Sequence, residues 1–536
     1  MHRLFFVPEL LIIICEQLYD EDDLPNASKE ALARLSRTCK AFHVVALNAL
    51  WSNLDGVAPL VQCLPAEVTR FYWDLPLGTA KVGIARTPQK AEWDIIQGYA
   101  RRVQHLRVSN PRRFVELSVI FTLSRPPTTS PLFPNLRLLV WNDNRPQTMG
   151  FLRTLCGPLL TSLTFDCSTA RWDIVAFARL ISVPAICPAV KVVALPSSTR
   201  YPKIPDMLLA WSHLEEVTCG EIDADIFCHL VKQTCLRKLA FKLSQSISQS
   251  LTDSPPFPQA FSRVRELEVH APDLSSLIEF MQKLQIRPTS VRAQVHAGPT
   301  PSDMRAFIAF FTEHYVGVKL QNVSLKSLPC KRMPSLAQPP PLPVDGRSYH
   351  TGIHGNDLMP LTQFGSIDTL TIDVNCSIHL ADEDLASFAS AWPRLRTFSI
   401  NKTHGWVLKS DITQIGLLEM LQRCPELQTL CIAINTDTFT EVPLERPGGG
   451  IQNRNIRTLA FADSAIQPHA TTVVAAFLSD VFPRLNEVTA WKSDQMRTRR
   501  DANGVDPSTA YAIRWEGVSQ NAKGMIRIRQ QERRWR

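Results

Sequence analysis

Trp392-Pro-Arg-Leu-Arg-Thr-Phe-Ser-Ile400 and, further along the chain, Cys424-Pro-Glu-Leu-Gln-Thr-Leu-Cys-Ile432 carry one pattern. An aromatic or a cysteine precedes Pro, and apolar side chains then fall at the first, fourth and sixth places counted from Leu395 or Leu427. The last two apolar places alternate with polar ones at the period of a strand. The proline lacks an N–H and keeps the residue before it out of the helical region, so a helix ending there turns into the strand. Phe133-Pro134 and Phe482-Pro483 repeat the punctuation.

Working outward, the triplet recurs at Val103/Leu106/Val108, Leu136/Leu139/Trp141, Leu160/Leu163/Phe165, Val190/Val193/Leu195, Leu214/Val217/Cys219, Leu236/Leu239/Phe241 and Val264/Leu267/Val269. It returns at Ile367/Leu370/Ile372, Ile456/Leu459/Phe461 and Leu485/Val488/Ala490, with weaker copies expected to start at Val291 and Val318. Helical stretches such as 384–391, 416–424 and 472–481 lie between copies. A strand plus a helix in each period of roughly 20–35 residues is the signature of a solenoid. A barrel or a doubly wound sheet buries both strand faces. Here the intervening positions are polar (Glu215/Glu216, Arg265/Glu266, Asp368/Thr369, Arg396/Thr397, Gln428/Thr429), so one face of each strand is expected to be wet. The fold class expected is α/β, an open horseshoe over residues 103–491 interrupted by a Pro-rich loop at 329–350.

Ahead of the array, Leu10, Ile13, Ile14 and Leu18 share one helix face behind Pro8, a residue suited to a first helical turn. An acidic connection (Asp20, Glu21, Asp22, Asp23) follows, with Pro25 blocking continuation and Asn26 or Ser28 able to cap the next helix. Leu32, Leu35 and Cys39 share a second face, and Leu47, Leu50, Trp51 and Leu54 a third. Three helices in about 50 residues bury too little surface to stand alone. They form either a cap for the array or a docking module.

The ordered run Val7-Pro8-Glu9-Leu10-Leu11, Leu18, Leu32 to Phe42, Ala46-Leu47 and Leu50-Trp51 resembles an F-box. It departs from that family in the acidic insert near 20–28 and in Phe42, where the family usually has Trp. The later copies with Asn375 and Asn435 after the strand resemble degenerate leucine-rich repeats. An F-box followed by Trp392-Pro-Arg-Leu395, Cys424-Pro-Glu-Leu427 and Phe482-Pro-Arg-Leu485 is similar to the F-box family of basidiomycete fungi. That resemblance implies a three-helix F-box at 1–55, a helical linker at 56–102, the solenoid, and a basic tail at 492–536. It also implies a non-catalytic substrate receptor of a Skp–cullin–F-box ubiquitin ligase in the cytoplasm or nucleus. Val7, Pro8, Leu10, Leu18, Leu32, Cys39, Phe42, Leu50 and Trp51 would then face a Skp-type adaptor, and through it a cullin. An unidentified protein substrate would meet the polar strand positions Gln104, His105, Arg107, Glu215, Glu216, Arg237, Lys238, Arg265, Glu266, Glu268, Asp368, Asp373, Arg396 and Gln428. The alternative is a leucine-rich scaffold whose F-box takes no part in ubiquitination.

No cofactor, metal or membrane role is expected. The 13 cysteines include no C-x-x-C pair, which suits buried reduced thiols better than a disulfide framework or a zinc site. His350 and His354 have a ligand spacing, but Gly352 and Gly355 argue against the helix it needs. Gly448–Gly450 follows Pro447 and reads as a turn. Phosphate loops, dinucleotide fingerprints and nucleophile elbows are missing from the sequence. The apolar run at 174–195 contains Arg179, Pro184, Pro188 and Lys191, which do not suit a membrane span. Of the +8 net charge, residues 492–536 supply +6, so a nucleic-acid surface is not expected outside that tail.

Overall fold

The structure is a computed structural model that describes residues 7–18, 27–74, 79–108, 115–127, 131–143, 145–165, 174–196, 204–244, 247, 261–284, 286–328, 352–493, 496 and 508–535. The acidic insert through Asn26, the Pro-rich loop 329–350, His350 and most of 494–507 lie outside the described residues. The chain divides into two units, Met1–Lys242 and Leu243–Arg536.

The first unit opens with three helices, α1 (Pro8–Leu18), α2 (Ala27–Leu35) and α3 (Lys40–Ser52). Cys15, Leu32 and Ala46 form their small core, with Leu35, Val45, Ala49 and Leu50 packed around it. β1 (Asn53–Asp55) leads directly out of α3, and α4 (Ala58–Gln62) follows. Residues 56–102, expected to be a helical linker, also hold the antiparallel hairpin β2 (Thr69–Asp74) and β3 (Thr79–Ile84). Thr69, Phe71, Tyr72 and Trp73 are strand formers, and they override the helical reading. α5 (Lys90–Ala100) closes this stretch with a capping box in which Glu92 accepts from the Gln89 N–H at 2.6 Å.

Further strands in this unit fall on the repeat motifs: β4 (His105–Val108), β5 (Leu138–Trp141), β6 (Ser162–Phe165), β7 (Val192–Ala194), β8 (Glu216–Glu221) and β9 (Lys238–Lys242). All pair in parallel, in sequence order, with β1 beside β4. The intervening helices are α6 (Leu117–Leu123), α7 (Met149–Leu155), α8 (Ile174–Ile181), α9 (Val183–Ile186) and α10 (Ala224–Val231). The register sets Leu54, Leu106, Leu139, Leu163, Val193, Val217 and Leu239 in one buried row. Each such side chain contributes about 1.5–3 kcal/mol of burial.

The second unit repeats the scheme with β10 (Glu266–Ala271), β11 (Ser290–Val295), β12 (Asn322–Ser327), β14 (Thr369–Asp373), β16 (Thr397–Ile400), β17 (Thr429–Cys431), β18 (Thr458–Ala460) and β19 (Glu487–Thr489). A two-residue ladder of β13 (Ile353–His354) and β15 (Ile378–His379) lies apart from this sheet. The helices are α11 (Leu274–Leu284), α12 (Pro301–His314), α13 (Gly355–Leu358), α14 (Asp382–Ala391), α15 (Gln414–Arg423), α16 (Ala470–Val481) and α17 (Ser508–Trp535). Within this unit Leu267, Val291, Val323, Leu370, Phe398, Leu430, Leu459 and Val488 form a buried row. The two weak repeats are therefore out of register with their expected starts. Val291 holds the fourth place of its copy rather than the first. Pro288 and Ala293 at that copy's first and sixth places hide its frame, whereas in the next copy the complete triplet Leu320, Val323 and Leu325 starts two residues beyond Val318.

One hydrogen-bond device sets most strands against the last. Two consecutive N–H groups at a strand's start donate to a single carbonyl one repeat earlier. Thr161 and Ser162 share the Arg137 carbonyl at 2.9 Å each, Arg396 and Thr397 share Asp368 at 2.7 and 3.0 Å, and Gln428 and Thr429 share Arg396 at 2.8 and 3.0 Å. The expected helix stops are also present. Trp392, Cys424 and Phe482, each before Pro, have ψ of 66°, 71° and 78°, outside the helical range, and each carbonyl accepts from the N–H three residues on. Gly449 and Gly450 turn with φ of 56° and 91°. Among the described residues no helix is long and apolar enough to cross a membrane.

Candidate functional site

Two surfaces could receive partners: the outer face of α1 and the open face of the strands. On α1 the inward side chains are Leu11 and Cys15. Val7, Leu10, Ile12, Ile13, Ile14 and Leu18 each keep more than a third of their surface in solvent, as does Val44 on α3. The face built on Leu10, Ile13, Ile14 and Leu18 is thus real, but it points away from the module. An aliphatic stripe of this kind on a short helix is a candidate interaction surface. Beside it a shallow hollow runs between Leu18, Ala27, Ala31, Leu35 and Thr38.

The nine adaptor candidates separate into three groups. Val7, Pro8, Leu10 and Leu18 are exposed on α1 or at its start. Cys39, Leu50 and Trp51 are half-buried. Leu32 and Phe42 are buried inside the helical layer, so their own surfaces are closed to a partner. Trp51 also stacks on Tyr99 of α5 with centroids 4.4 Å apart, which ties the module to the helix after it. Ile12 and Val44 carry no helix-face signal in the sequence, since periodicity reports one stripe and not the whole exposed cap. Phe71 and Trp73, on one side of β2, are more than half exposed and give no sequence signal either.

Of the strand candidates, Gln104, His105, Arg107, Glu216, Arg237, Arg265, Glu266, Arg396 and Gln428 are exposed, and Glu215, Lys238, Glu268 and Asp368 are half-buried. Several pair along the open face. Lys191 Nζ lies 3.0 Å from Glu215, and this contact holds the Glu215 carboxyl below its usual range. Arg396 lies 3.1 Å from Glu426 and Lys492 2.9 Å from Glu487. Exposed pairs of this kind contribute about 0–1 kcal/mol each and serve as polar contacts more than as glue.

Asp373 departs from the expectation. It is buried, and it anchors the loop that follows β16. Its Oδ1 accepts from the N–H of Thr403 at 3.0 Å and lies 3.0 Å from His404 Nδ1. Nε2 of His404 lies 3.2 Å from Ser327 Oγ, which accepts from the Asn375 N–H at 3.0 Å. Burial by itself raises the Asp373 carboxyl, but His404 and Thr403 together outweigh burial and hold it below the usual value. The chain of bonds joins three repeats. Ser399 and Cys431, alternate positions next to this loop, are buried as well. Asp373 therefore shapes the face and is not offered to a partner.

The thiols follow burial. Cys219 and Cys431 are pushed up to about 12, and Cys376 and Cys424 to about 11, by loss of solvent. Among the described residues no group of three metal-ligating side chains occurs.

No protein-family model and no curated protein matches this chain. Among solved structures, the leucine-rich repeat-containing protein LegL7 from Legionella pneumophila is similar at 10% identity, covering 62% of this chain and 97% of that one, with a TM-score of 0.24. The repeat described above rests on this chain's own register. An α/β chain built from parallel strands in this register is consistent with a leucine-rich-repeat-like solenoid.

Proposed function

We propose that this chain is the substrate-receptor subunit of a Skp–cullin–F-box ubiquitin ligase, working in the cytoplasm or nucleus. The three-helix module would dock a Skp-type adaptor, the adaptor would bring a cullin, and the open strand face would hold a protein target. The ubiquitin chemistry would belong to the partners, so the chain itself is non-catalytic. One observation carries this reading: α1 keeps Leu10, Ile12, Ile13, Ile14 and Leu18 more than a third exposed while burying only Leu11 and Cys15. Covering half of each exposed side chain would return about 1 kcal/mol apiece. That makes a partner helix the natural complement.

Leu32 and Phe42 support the same module from inside, and Leu10, Ile14 and Leu18 are the contact residues to test. Full-length chain with Leu10, Ile14 and Leu18 changed to Ser should keep its fold by circular dichroism and lose capture of purified Skp-type adaptor by at least tenfold. Equal capture by wild type and variant would exclude docking through α1. The burial of Phe42 and the Trp51–Tyr99 stack favour the second reading, a non-catalytic scaffold whose helices only cap the array. Failure of the wild-type chain to capture adaptor and cullin from solution would select it.

A further inference from the structure

In the first unit the two places that flank each buried-row residue lie on the open face of the sheet, because side chains alternate along a strand. On β4 these places hold His105 and Arg107, and on β8 Glu216 and Thr218. Between those two strands the chemistry changes. β5 places Leu138 and Val140 there and β7 places Val192 and Ala194, with Ser162 and Thr164 of β6 in register between the two pairs. All six side chains are half-buried. They make a largely aliphatic floor, two side chains wide, on the face that should be wet.

Strand formation does not require these aliphatic residues. In β10, β11, β12, β14 and β16 of the second unit every flanking place is polar, as with Glu266 and Glu268 around Leu267 or Thr369 and Thr371 around Leu370. Threonine also favours strands, so propensity alone does not select valine and leucine for β5 and β7. Cations border the floor at one end. Arg107 stands on β4 and Arg137 at the start of β5; both are exposed, and among the described residues neither forms an ion pair. The flanking places of β4 to β7 contain no carboxylate. Asp55, in register with Arg107, lies 3.5 Å from Lys29, and Glu215, ahead of β8, lies 3.0 Å from Lys191. The far end of the floor meets Glu216, which has Lys238 beside it in register. The end at Arg107 and Arg137 is therefore the one that attracts an anion.

The dimensions select the shape of the occupant. From β4 to β7 there are three strand spacings, about 14 Å. An extended chain rising about 3.3 Å per residue covers that distance in about four residue steps, with every second side chain facing the floor. Along the strands the floor is about 7 Å wide, narrower than an α-helix with its side chains at about 10–12 Å. We propose that this floor binds an extended segment of a target protein, with an acidic residue over Arg107 and Arg137 and aliphatic residues two and four places away over β5 to β7. The arginines pair with the carboxylate through charge-assisted hydrogen bonds, and the aliphatic side chains cover Leu138, Val140, Val192 and Ala194. That the segment belongs to a ligase target rests on the receptor reading above; the surface itself does not.

The probe is the pentapeptide acetyl-Asp-Ser-Val-Ser-Val-amide, followed by saturation-transfer NMR on the full-length chain. Its binding should exceed that of acetyl-Lys-Ser-Val-Ser-Val-amide and of acetyl-Asp-Ser-Ser-Ser-Ser-amide at least fivefold. Arg107→Glu combined with Arg137→Glu should reverse the first preference, so that the Lys peptide binds better than the Asp peptide. Arg107→Gln with Arg137→Gln serves if that variant misfolds, and should bring the two peptides level. Val140→Thr with Val192→Thr keeps strand formers in place and should remove the advantage of the Val peptide over the Ser peptide. An unchanged order of peptides in a folded charge variant overturns the proposal, as does absence of transfer to the Asp peptide on the wild-type chain at millimolar concentration. Self-association of the wild type that the Thr variant abolishes overturns it too, by giving the face to a second copy of the chain. Every variant should capture adaptor as the wild type does, so failure of the peptide and failure of docking through α1 remain separate results.

Discussion

α1 and α17 are both apolar-faced helices, and they treat that face in opposite ways. α17 buries Trp515, Val518, Ala522 and Ile526 against its own unit. Trp515 donates its indole N–H to the Ser464 carbonyl at 2.9 Å, Ser519 Oγ accepts from the Val488 N–H at 3.0 Å, and Arg529 lies 3.5 Å from the buried Asp480. α17 thus satisfies the last strand, β19, and the last repeat helix, α16. α1 carries only leucines and isoleucines on its apolar faces and leaves all of them but Leu11 more than a third exposed. Apolar residues at helical spacing establish that a face exists. They do not establish whether the chain itself covers it. The basic tail read from the sequence is, where described, this capping helix, with its charges on the outside and one arginine turned in to a buried acid.

The contrast can be broken at four points. Trp515→Ala should produce the largest loss, about 3–5 kcal/mol by urea unfolding of the full chain, because a buried ring and its hydrogen bond go together. A loss under about 1 kcal/mol would mean that α17 is not a structural cap. Arg529→Ala should cost about 1–3 kcal/mol, since Asp480 is 2% exposed and would keep only the Gly448 N–H, at 3.1 Å. Its effect should shrink when Asp480 is changed to Asn in the same chain.

A smaller effect is expected in acid. The Asp373 carboxyl lies below its unfolded value in the folded chain, so its contribution is complete above that unfolded value and fades as pH falls through the folded one. Thermal melting between about pH 5 and pH 2 should therefore fall more steeply for wild type than for Asp373→Asn. Parallel slopes would remove the anchor role. The smallest effect belongs to α1. Changing Leu10, Ile14 and Leu18 to Ser should alter stability by no more than about 0.5 kcal/mol per position, as surface changes do. A larger loss would show that the stripe is covered within the chain, and α1 would then join α17 as a cap.

Much of the fold is legible because every repeat fixes its position with the same row of buried side chains. Leu106, Leu370 and Leu430 mark their strands from sequence alone, and the prolines after Trp392, Cys424 and Phe482 mark the turns. The frame fails at Val291, where Pro288 and Ala293 weaken the triplet, and at Val318, which stands two residues ahead of the complete triplet Leu320/Val323/Leu325. The site is less legible. Alternation places Asp373 on the open face correctly as a strand position. What buries it is the loop around His404, one repeat further on, and local pattern cannot see that. Val407 and Trp491 look like ordinary apolar residues in the sequence, yet both have positive φ, 67° and 55°. That backbone follows from hydrogen bonds to Asp463, Ala462 and Ser464, all supplied by another loop. The exposure of α1 has a signal, its spacing, but the direction of the face does not.

The shared-carbonyl ladder has a consequence for how such a chain can change. Where a strand takes its position from one carbonyl in the preceding copy, as most here do, register is inherited step by step and owes nothing to the length of chain between the two points. Those intervals already differ widely among the regular copies, short from Val217 to Leu239 and long from Leu106 to Leu139. Whole cassettes, cut from one strand start to the next, are therefore the natural unit of duplication or loss. Excising residues 396–427 would bring Gln428 and Thr429 to the Asp368 carbonyl, the same acceptor that Arg396 and Thr397 now use. A gene of this architecture can vary its copy number while each surviving strand keeps its inward row.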